Sequence, residues 1–380
     1  MTTLTGLMLY LENHILTNAS VAIENGKIAS ITEHAERERP RYRCLPGRID
    51  LHIHGACGVD VMDATPQALN TLCRYLPQEG TTGYLATTMS MPETSILAAL
   101  CNIANYTHTF GARILGAHLE GPFIAPQKAG AHSLDHIRLP DTTLFDAWQT
   151  YAKGLIRLVT VAPELEGALD FISHLTQQNV IASLGHTHAS YAEAIAGIDH
   201  GCRHATHLHN AMTGLDHRQP GAALAILERN TVLAELIADG IHVSPDILRF
   251  AYHVKGREQL CLVTDSMRAK CMGEGTFELG QQVVTVQNGH ARLADGTLAG
   301  SVLSMDDACH NMLSFKACDL MDLTYLCSIN PAKQLGIFSE TGSIAVGKDA
   351  DLIILDEQNR LCATYCKGVL CYQTIRSAEC

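Results

Sequence analysis

Four polar side chains at or just behind the ends of short strand-like runs could carry catalytic chemistry in this chain. They are Glu120, His186, His207 and Asp265. A carboxylate and two neutral imidazoles around an open position are typical of a catalytic, zinc-type metal site. Because such an ion lowers the pKa of bound water towards ~7, we expect Asp265 to accept a proton and return it to a leaving group. The alternatives are a solvated loop carboxylate for Glu120 and a helix cap or structural ion pair for Asp265.

A second group of metal-type side chains stands in the segment DLHIHG near the start of the sequence. Alternation along a strand points His52 and His54 to the same face, so the two imidazoles can share one ion. In a chain with 20 His, an HxH pair also arises by chance. The sequence therefore predicts one divalent ion and leaves open a second ion at this pair.

Three further segments favour an anionic small substrate. Asn210 and Ala211 follow the sixth strand-like run, where backbone N–H groups could bind an anion. Arg218 stands in a loop held by Pro and Gly, and its guanidinium can bind a phosphate through two hydrogen bonds. A free surface arginine is the alternative. His242, three residues after Asp239, could reach a phosphate or a sugar hydroxyl.

These residues need a scaffold that brings distant segments together, and the middle of the chain predicts one. Strand-like runs occur at Arg48–His54, Gly83–Thr87, Ile114–His118, Leu158–Ala162, Val180–Leu184, His204–His207, Ala234–Ala238 and Leu260–Thr264. Helix-like stretches occur at Thr65–Glu79, Glu93–Asn105, Leu165–Gln178, Ala189–Ile198 and Pro245–Lys255. Such alternation predicts an α/β fold, a (β/α)₈ TIM-like barrel, in which the carboxyl ends of the strands meet around one axis.

The two ends of the chain read as short strands. Asn25-Gly26 between two alternating runs is a hairpin signal. We therefore expect residues 1–46 and 338–380 to form a small β-sandwich beside a catalytic barrel domain of residues 47–337.

Composition excludes several classes of function. With 380 residues, 47% of them hydrophobic and 17% charged, the chain can bury a sizeable core. Lys+Arg 27 against Asp+Glu 39 gives a net charge of −12, which argues against nucleic-acid binding. No apolar run approaches the ~20 residues of a membrane span, and the start lacks a secretory signal. The 14 Cys are scattered, which predicts reduced thiols and a cytoplasmic location.

Nine segments, in this order, carry a family resemblance. They are PGRIDLHIHG, HLEGPFIAPQKAGAH, VTVAPE, LGHTHAS, ATHLHNAMTG, RQPG, IADGIHV, LVTD and LAGS. From about Pro46 to Gly336 the chain resembles the N-acetylglucosamine-6-phosphate deacetylase family of the amidohydrolase superfamily. The resemblance implies a homodimer of metal-dependent barrels with terminal β-sandwiches. It also implies hydrolysis of N-acetylglucosamine 6-phosphate to glucosamine 6-phosphate and acetate, in amino-sugar catabolism.

The same resemblance assigns roles by motif. Glu120, His186 and His207 resemble the ligands of the principal metal, for which zinc is expected, and Asp265 resembles the acid/base. His132 would contact the acetyl carbonyl and help to hold the developing oxyanion. The substrate-binding positions are Ala131, His132, Asn210, Ala211, Arg218, Asp239, His242, Leu298, Ala299 and Gly300. In relatives the arginine of the RQPG-type motif can reach across the dimer interface, so Arg218 could serve the neighbouring subunit's site.

Three alternatives stay open. The segments MTGLDHRQPG and GVDVMD are also similar to N-acetylgalactosamine-6-phosphate deacetylases, whose substrate differs in one hydroxyl configuration. A cyclic-amide hydrolase of the same superfamily would have no use for the phosphate contacts. A non-catalytic assembly protein built on a barrel would be expected to lack the ligands and the acid/base.

Overall fold

The computed structural model describes residues 1–35 and 40–374. The terminal domain predicted over residues 1–46 and 338–380 includes residues 36–39 and 375–380, which lie outside the described residues. The limits of both predicted domains stay a prediction. The strands are β1 (Thr2–Tyr10), β2 (Ile15–Glu24), β3 (Lys27–Glu33), β4 (Tyr42–Pro46), β5 (Arg48–Ile53), β6 (Gly55–Ala56), β7 (Val59–Asp60), β8 (Thr81–Thr87), β9 (Arg113–Glu120), β10 (Ile156–Val161), β11 (Ile181–Leu184), β12 (His204–Ala205), β13 (Leu233–Ile237), β14 (Leu260–Val263), β15 (Gly275–Leu279), β16 (Gln282–Gln287), β17 (His290–Arg292), β18 (Leu352–Leu355), β19 (Leu361–Cys366) and β20 (Val369–Gln373). The helices are α1 (Pro66–Tyr75), α2 (Glu93–Asn105), α3 (Thr142–Tyr151), α4 (Ala168–Gln177), α5 (Tyr191–His200), α6 (Ala222–Glu228), α7 (Pro245–Lys255), α8 (Met305–Ser314), α9 (Leu320–Thr324) and α10 (Asn330–Gln334).

Eight parallel strands form the predicted barrel. Their order is β5, β8, β9, β10, β11, β12, β13 and β14, so neighbours in space are also neighbours along the chain. The first and last strands meet where Ile53 pairs with Ser266, just beyond β14. The predicted (β/α)₈ architecture is confirmed, and it gathers the carboxyl ends of all eight strands at one face.

Helix-forming signals in the sequence place the outer layer. Ser190 and Glu193 form a reciprocal capping box at the start of α5. Ser244 caps α7, and Pro245 occupies its first turn, where proline is tolerated. All five predicted helices occur, and α2 and α7 have the predicted limits. Among the residues described here, no helix combines the length and the apolar content that crossing a bilayer requires.

Strands from both ends of the chain form one seven-stranded sheet, in the order β20-β19-β18-β4-β1-β2-β3. Strand β4 joins the two ends because it pairs parallel with β1 and antiparallel with β18. The predicted hairpin is confirmed, with Glu24 opposite Lys27 across the Asn25-Gly26 turn. The β-domain predicted from both termini therefore exists as this single sheet.

A three-stranded antiparallel sheet, β15-β16-β17, interrupts the chain after the eighth barrel strand. This insert was not predicted from the sequence. Its signal was present, since Asn288-Gly289 separates β16 from β17 as Asn25-Gly26 separates β2 from β3.

The expectation that all thiols are reduced is wrong for one pair. Cys57 and Cys271, 214 residues apart, are joined by a disulfide. The barrel explains why scattered spacing did not predict it: Cys57 follows the first strand and Cys271 follows the eighth, which are neighbours in space. Among the described residues, no other pair of cysteines is joined by a disulfide.

Candidate active site

A cavity of about 790 Å³ opens at the carboxyl ends of the barrel strands. Its wall combines barrel residues with side chains of the insert and of the segment that follows it. Its lining includes His54, Glu120, His132, His186, His207, Asn210, Ala211, His242, Asp265, Leu279, Gln282, Leu293, Leu298 and Gly300.

Glu120, His186 and His207 meet at the floor of this cavity. Glu120 is the last residue of β9, and its Oε1 lies 3.2 Å from His186 Nε2 and 3.1 Å from His207 Nε2. The two Nε2 atoms lie 3.0 Å apart. The His186 ring is oriented from behind, because its Nδ1 lies 2.7 Å from the carbonyl oxygen of Lys128. The structure therefore brings together the three residues that the sequence singled out.

The backbone bends sharply where the site residues stand. The φ angles of His186, His207 and Asp265 are 46°, 30° and 47°. They lie in the left-handed region, which residues other than glycine rarely adopt. This backbone conformation costs ~1–3 kcal/mol per residue and persists only where the surrounding structure holds it. Such positions concentrate at functional sites. The bends turn these side chains off the strand ends and towards the cavity.

A second cluster lies beside the first. His52 Nε2 and His54 Nε2 are 3.3 Å apart, and both lie close to Asp265 Oδ1, at 3.4 and 3.2 Å. Glu120 borders both clusters, since its Oε2 is 3.1 Å from His54 Nε2. His52 is completely buried below the cavity floor, whereas His54 lines it.

Both carboxylates of the site favour the ionised form. Burial alone would raise the pKa of Glu120, but the charge of His52 and hydrogen bonds from neighbouring imidazoles hold it well below its usual range. Burial likewise opposes ionisation of Asp265, and His52 and His54 lower its pKa. Asp265 is therefore available as a proton acceptor at neutral pH.

The donor atoms suit a divalent metal. In each of the groups Glu120–His186–His207 and His52–His54–Asp265, one ligand atom per residue lies within 4.8 Å of the others. Nitrogen and carboxylate oxygen donors are the set that zinc and similar ions accept. The residues present thus fit one ion, with donors for a second.

His132 presents one defined ring nitrogen to the cavity. Its Nδ1 accepts the backbone N–H of Ser90 at 3.0 Å, so the neutral ring carries its proton on Nε2. Nε2 faces the site, 3.5 Å from Glu120 Oε2. Burial lowers the pKa of His132 to about 4, so the ring is neutral at pH 7 and donates an N–H.

Most of the predicted substrate-binding residues border the same cavity. Ala131, Asn210, Ala211, Leu298 and Gly300 line it directly. Ala299 lies between two lining residues and is itself fully buried.

Two of the remaining predicted residues form a pair, and one lies apart. His242 lines the cavity, and Asp239 fixes its ring through a 2.6 Å contact between Oδ2 and Nδ1. Arg218 does not line the cavity. It stands on an exposed loop whose backbone is held by Asp216.

Two features of the site escaped the sequence analysis. Glu235, in β13, contacts His52, His204 and His207. Its signal was a single charged residue within the apolar run VLAELIA. The insert contributes Leu279 and Gln282, and Leu293 follows directly behind it.

Comparison with known proteins agrees with this geometry. A profile of the amidohydrolase family matches residues 43–375. The N-acetylglucosamine-6-phosphate deacetylase of Bacillus subtilis (strain 168) is 43% identical over 376 residues, covering 95% of this chain and 94% of its own length. The N-acetylgalactosamine-6-phosphate deacetylase of Escherichia coli O157:H7 is 38% identical over 345 residues, covering 90% of this chain and 91% of its own.

Solved structures are similar over almost the whole chain. The crystal structure of N-acetylglucosamine-6-phosphate deacetylase from Thermotoga maritima has a TM-score of 0.90 at 33% identity, covering 98% of this chain and 100% of that one. A mutant of the Mycobacterium smegmatis enzyme, in complex with N-acetyl-D-glucosamine-6-phosphate, has a TM-score of 0.89 at 30% identity, covering 98% and 99%. Sequence, fold and site thus lead to the same result: this chain belongs to the amidohydrolase family.

Proposed function

We propose that this chain is a metal-dependent deacetylase that hydrolyses N-acetylglucosamine 6-phosphate to glucosamine 6-phosphate and acetate, in amino-sugar catabolism. One observation carries the proposal: a candidate metal cluster, an ionised aspartate and a neutral histidine donor share one cavity. Relatives named for this activity, 43% and 37% identical over nearly the whole chain, support it.

Glu120, His186 and His207 would hold the principal ion, which we propose to be zinc, and His52 and His54 with Asp265 would hold a second. Such an ion supplies Lewis-acid polarisation and activates water at neutral pH. The chain's own contribution is to fix the ligands, since Lys128 orients His186 and the left-handed backbone aims His207.

Two residues that line the cavity act on the substrate, Asp265 by transferring a proton and His132 by donating a hydrogen bond. Asp265 accepts the proton of the attacking water and delivers it to the departing nitrogen. His132 donates its Nε2 N–H to the acetyl oxygen as negative charge develops there. Asn210, Ala211 and His242 would bind the sugar phosphate, with Leu298 beside the sugar.

The role of Asp265 is tested by Asp265→Asn, which keeps the size of the side chain but removes the proton acceptor. We expect release of free amine to fall by ~10²–10⁴-fold. Asp295→Asn, an exposed carboxylate on the cavity rim, is the matched control. Turnover close to wild type in Asp265→Asn would exclude the assigned role.

The galactosamine epimer is the second candidate, because the Escherichia coli relative at 38% identity carries that name. Kinetics on the two N-acetylhexosamine 6-phosphates, side by side, decide between them. A higher kcat/KM on the galacto epimer would replace the proposed substrate. A cyclic-amide hydrolase would be unaffected by Arg218→Ala, whereas we expect a large rise in KM for a sugar phosphate.

We also propose a homodimer in which Arg218 serves the neighbouring subunit's site. Arg218 is exposed and lies outside its own cavity. Exposed apolar side chains stand on this loop and on the two helices that follow it in the chain: Leu215 on the loop, Leu224 on α6 and Phe250 on α7. A second copy docked there would cover them and bring the guanidinium to a cavity.

A cytoplasmic location remains part of the proposal. Among the described residues, the cysteines that form no disulfide support it, and the Cys57–Cys271 disulfide weighs against it.

A further inference from the structure

We infer that Glu235 is a positioning residue that aims His52 at a second metal ion and ties it to the backbone of His207. The inference rests on the metal-dependent activity proposed above. Glu235 stands in the seventh barrel strand, and its contacts with His52 and His204 place its side chain inside the barrel.

The carboxylate of Glu235 is fully buried and has three donors around it. Its Oε2 lies 3.0 Å from His52 Nδ1 and accepts the backbone N–H of His207 at 2.9 Å. Its Oε1 lies 2.9 Å from His204 Nε2. One side chain of strand seven thus connects residues of the first strand and of the segment behind the sixth.

These contacts decide which nitrogen of His52 is free to bind a metal. An ionised carboxylate accepts hydrogen bonds and donates none. A His52 ring that binds a metal is neutral. Its proton then sits on Nδ1, and the lone pair sits on Nε2. That nitrogen faces the site, 3.3 Å from Glu120 Oε1 and 3.4 Å from Asp265 Oδ1.

A competing role for Glu235 is that of a metal ligand together with His52 and His118, because these three can be grouped by distance alone. The hydrogen bonds argue against it. Both oxygens of Glu235 already accept, and His118 Nε2 is engaged by Thr160 Oγ1 at 2.8 Å. A carboxylate behind a ligating imidazole is instead the usual support of a metal-bound histidine.

Zinc uptake by the full-length chain tests the inference without reference to turnover. Wild type and variants are equilibrated at a series of buffered free zinc concentrations, and bound zinc per chain is measured. We expect Glu235→Met to weaken binding of the second ion by ~10–100-fold, as is typical for loss of such a support. Ser183→Ala is the matched control and should bind as wild type, because Ser183 is equally buried in the barrel and its hydroxyl, among the described residues, contacts Thr206 alone.

Two further variants separate hydrogen-bond geometry from charge. Glu235→Gln can still accept from His52 and His207 through its amide oxygen if its NH₂ group faces His204 Nε2. His204 Nε2 can then accept, because the ring proton can move to Nδ1, which has no partner among the described residues. We expect Glu235→Gln to retain zinc affinity within ~10-fold. Glu235→Asp keeps the charge but is one methylene shorter, and it should lose affinity as the methionine variant does. It also replaces that variant if Glu235→Met fails to fold.

Three outcomes would overturn the inference: wild-type zinc uptake by Glu235→Met or Glu235→Asp, a loss in Glu235→Gln as large as in Glu235→Asp, or a wild-type chain that never takes up a second ion. None of them bears on whether the chain deacetylates a sugar phosphate. Absence of amine release with normal zinc uptake would refute only the proposed function.

Discussion

His132 meets the cavity with a single N–H, because the backbone of Ser90 occupies its other nitrogen. The ring therefore acts as a donor of fixed direction, which suits charge that develops on an acyl oxygen. It does so without competing for metal, since its remaining nitrogen carries the proton.

Replacing His132 by Ala should lower kcat by ~10²–10³-fold, the effect expected when one oxyanion donor is removed. Steady-state kinetics and zinc analysis of the purified variant check this. Ser90→Ala is the control, because it removes the hydroxyl near Nδ1 but keeps the backbone N–H that fixes the ring. Loss of zinc in His132→Ala would show that the residue supports the metal instead.

Among the site residues, the sequence predicted those at or just behind the ends of strands and missed Glu235, which stands in the middle of β13. Glu120, His186, His207 and Asp265 were found because a polar residue directly behind an apolar run is conspicuous. Glu235 was missed because no spacing says which face of a buried strand a carboxylate occupies. Arg218 was placed near a phosphate by its motif, while the folded chain leaves it on the surface.

The elements that frame the site depend on buried polar contacts of their own. Helix α6 is only 7 residues long. Lys255, the last residue of α7, binds the carbonyl oxygens at the C-terminal end of α6. Lys255 Nζ donates to the carbonyl oxygens of Ile226, Arg229 and Val232 at 2.9, 2.9 and 2.7 Å.

Burial lowers the pKa of Lys255 from 10.5 to about 8, which predicts a pH dependence of stability. Between these two values the unfolded chain binds more protons than the folded one, so this residue makes the free energy of unfolding rise with pH. The rise is at most about 3 kcal/mol. Lys255→Met, which loses the three hydrogen bonds, should be less stable throughout.

Urea unfolding of both proteins from pH 7 to pH 10 is the measurement. The other titrating groups are common to both chains, so the stability difference should widen only above pH 8. A difference that stays constant with pH would contradict the assigned pKa.

The barrel strands and five of the ten helices were predicted from the sequence, and the remaining helices and the insert were not. The eight barrel strands fell within a few residues of their positions because buried parallel strands are continuous apolar runs. Helices α3, α6, α8, α9 and α10 were missed, although Phe145 and Trp148 anchor α3 in the core. The insert was missed because its alternating residues stand where a barrel predicts a loop.

At the scale of the whole molecule, the outer side of α7 forms an apolar surface that is exposed in the monomer. Ile247, Phe250 and Val254 recur at helical spacing on the outer side of α7 and are 37, 43 and 41% exposed. Phe250→Asp should shift the chain to a monomer in sedimentation and raise KM for the phosphorylated substrate, since Arg218 of the partner subunit would be lost. Val346→Asp, 63% exposed on another part of the surface, is the control. A monomeric wild type would exclude the shared site.

The pairing of β4 with both β1 and β18 has a consequence for biosynthesis. Strands β1 and β4 are both synthesised early, whereas β18 is synthesised only after the entire barrel. Until then β4 has an unpaired edge, which is a template for association with other nascent chains. Co-translational folding must therefore shield this edge for as long as about 300 residues take to emerge, at ~5–20 residues per second.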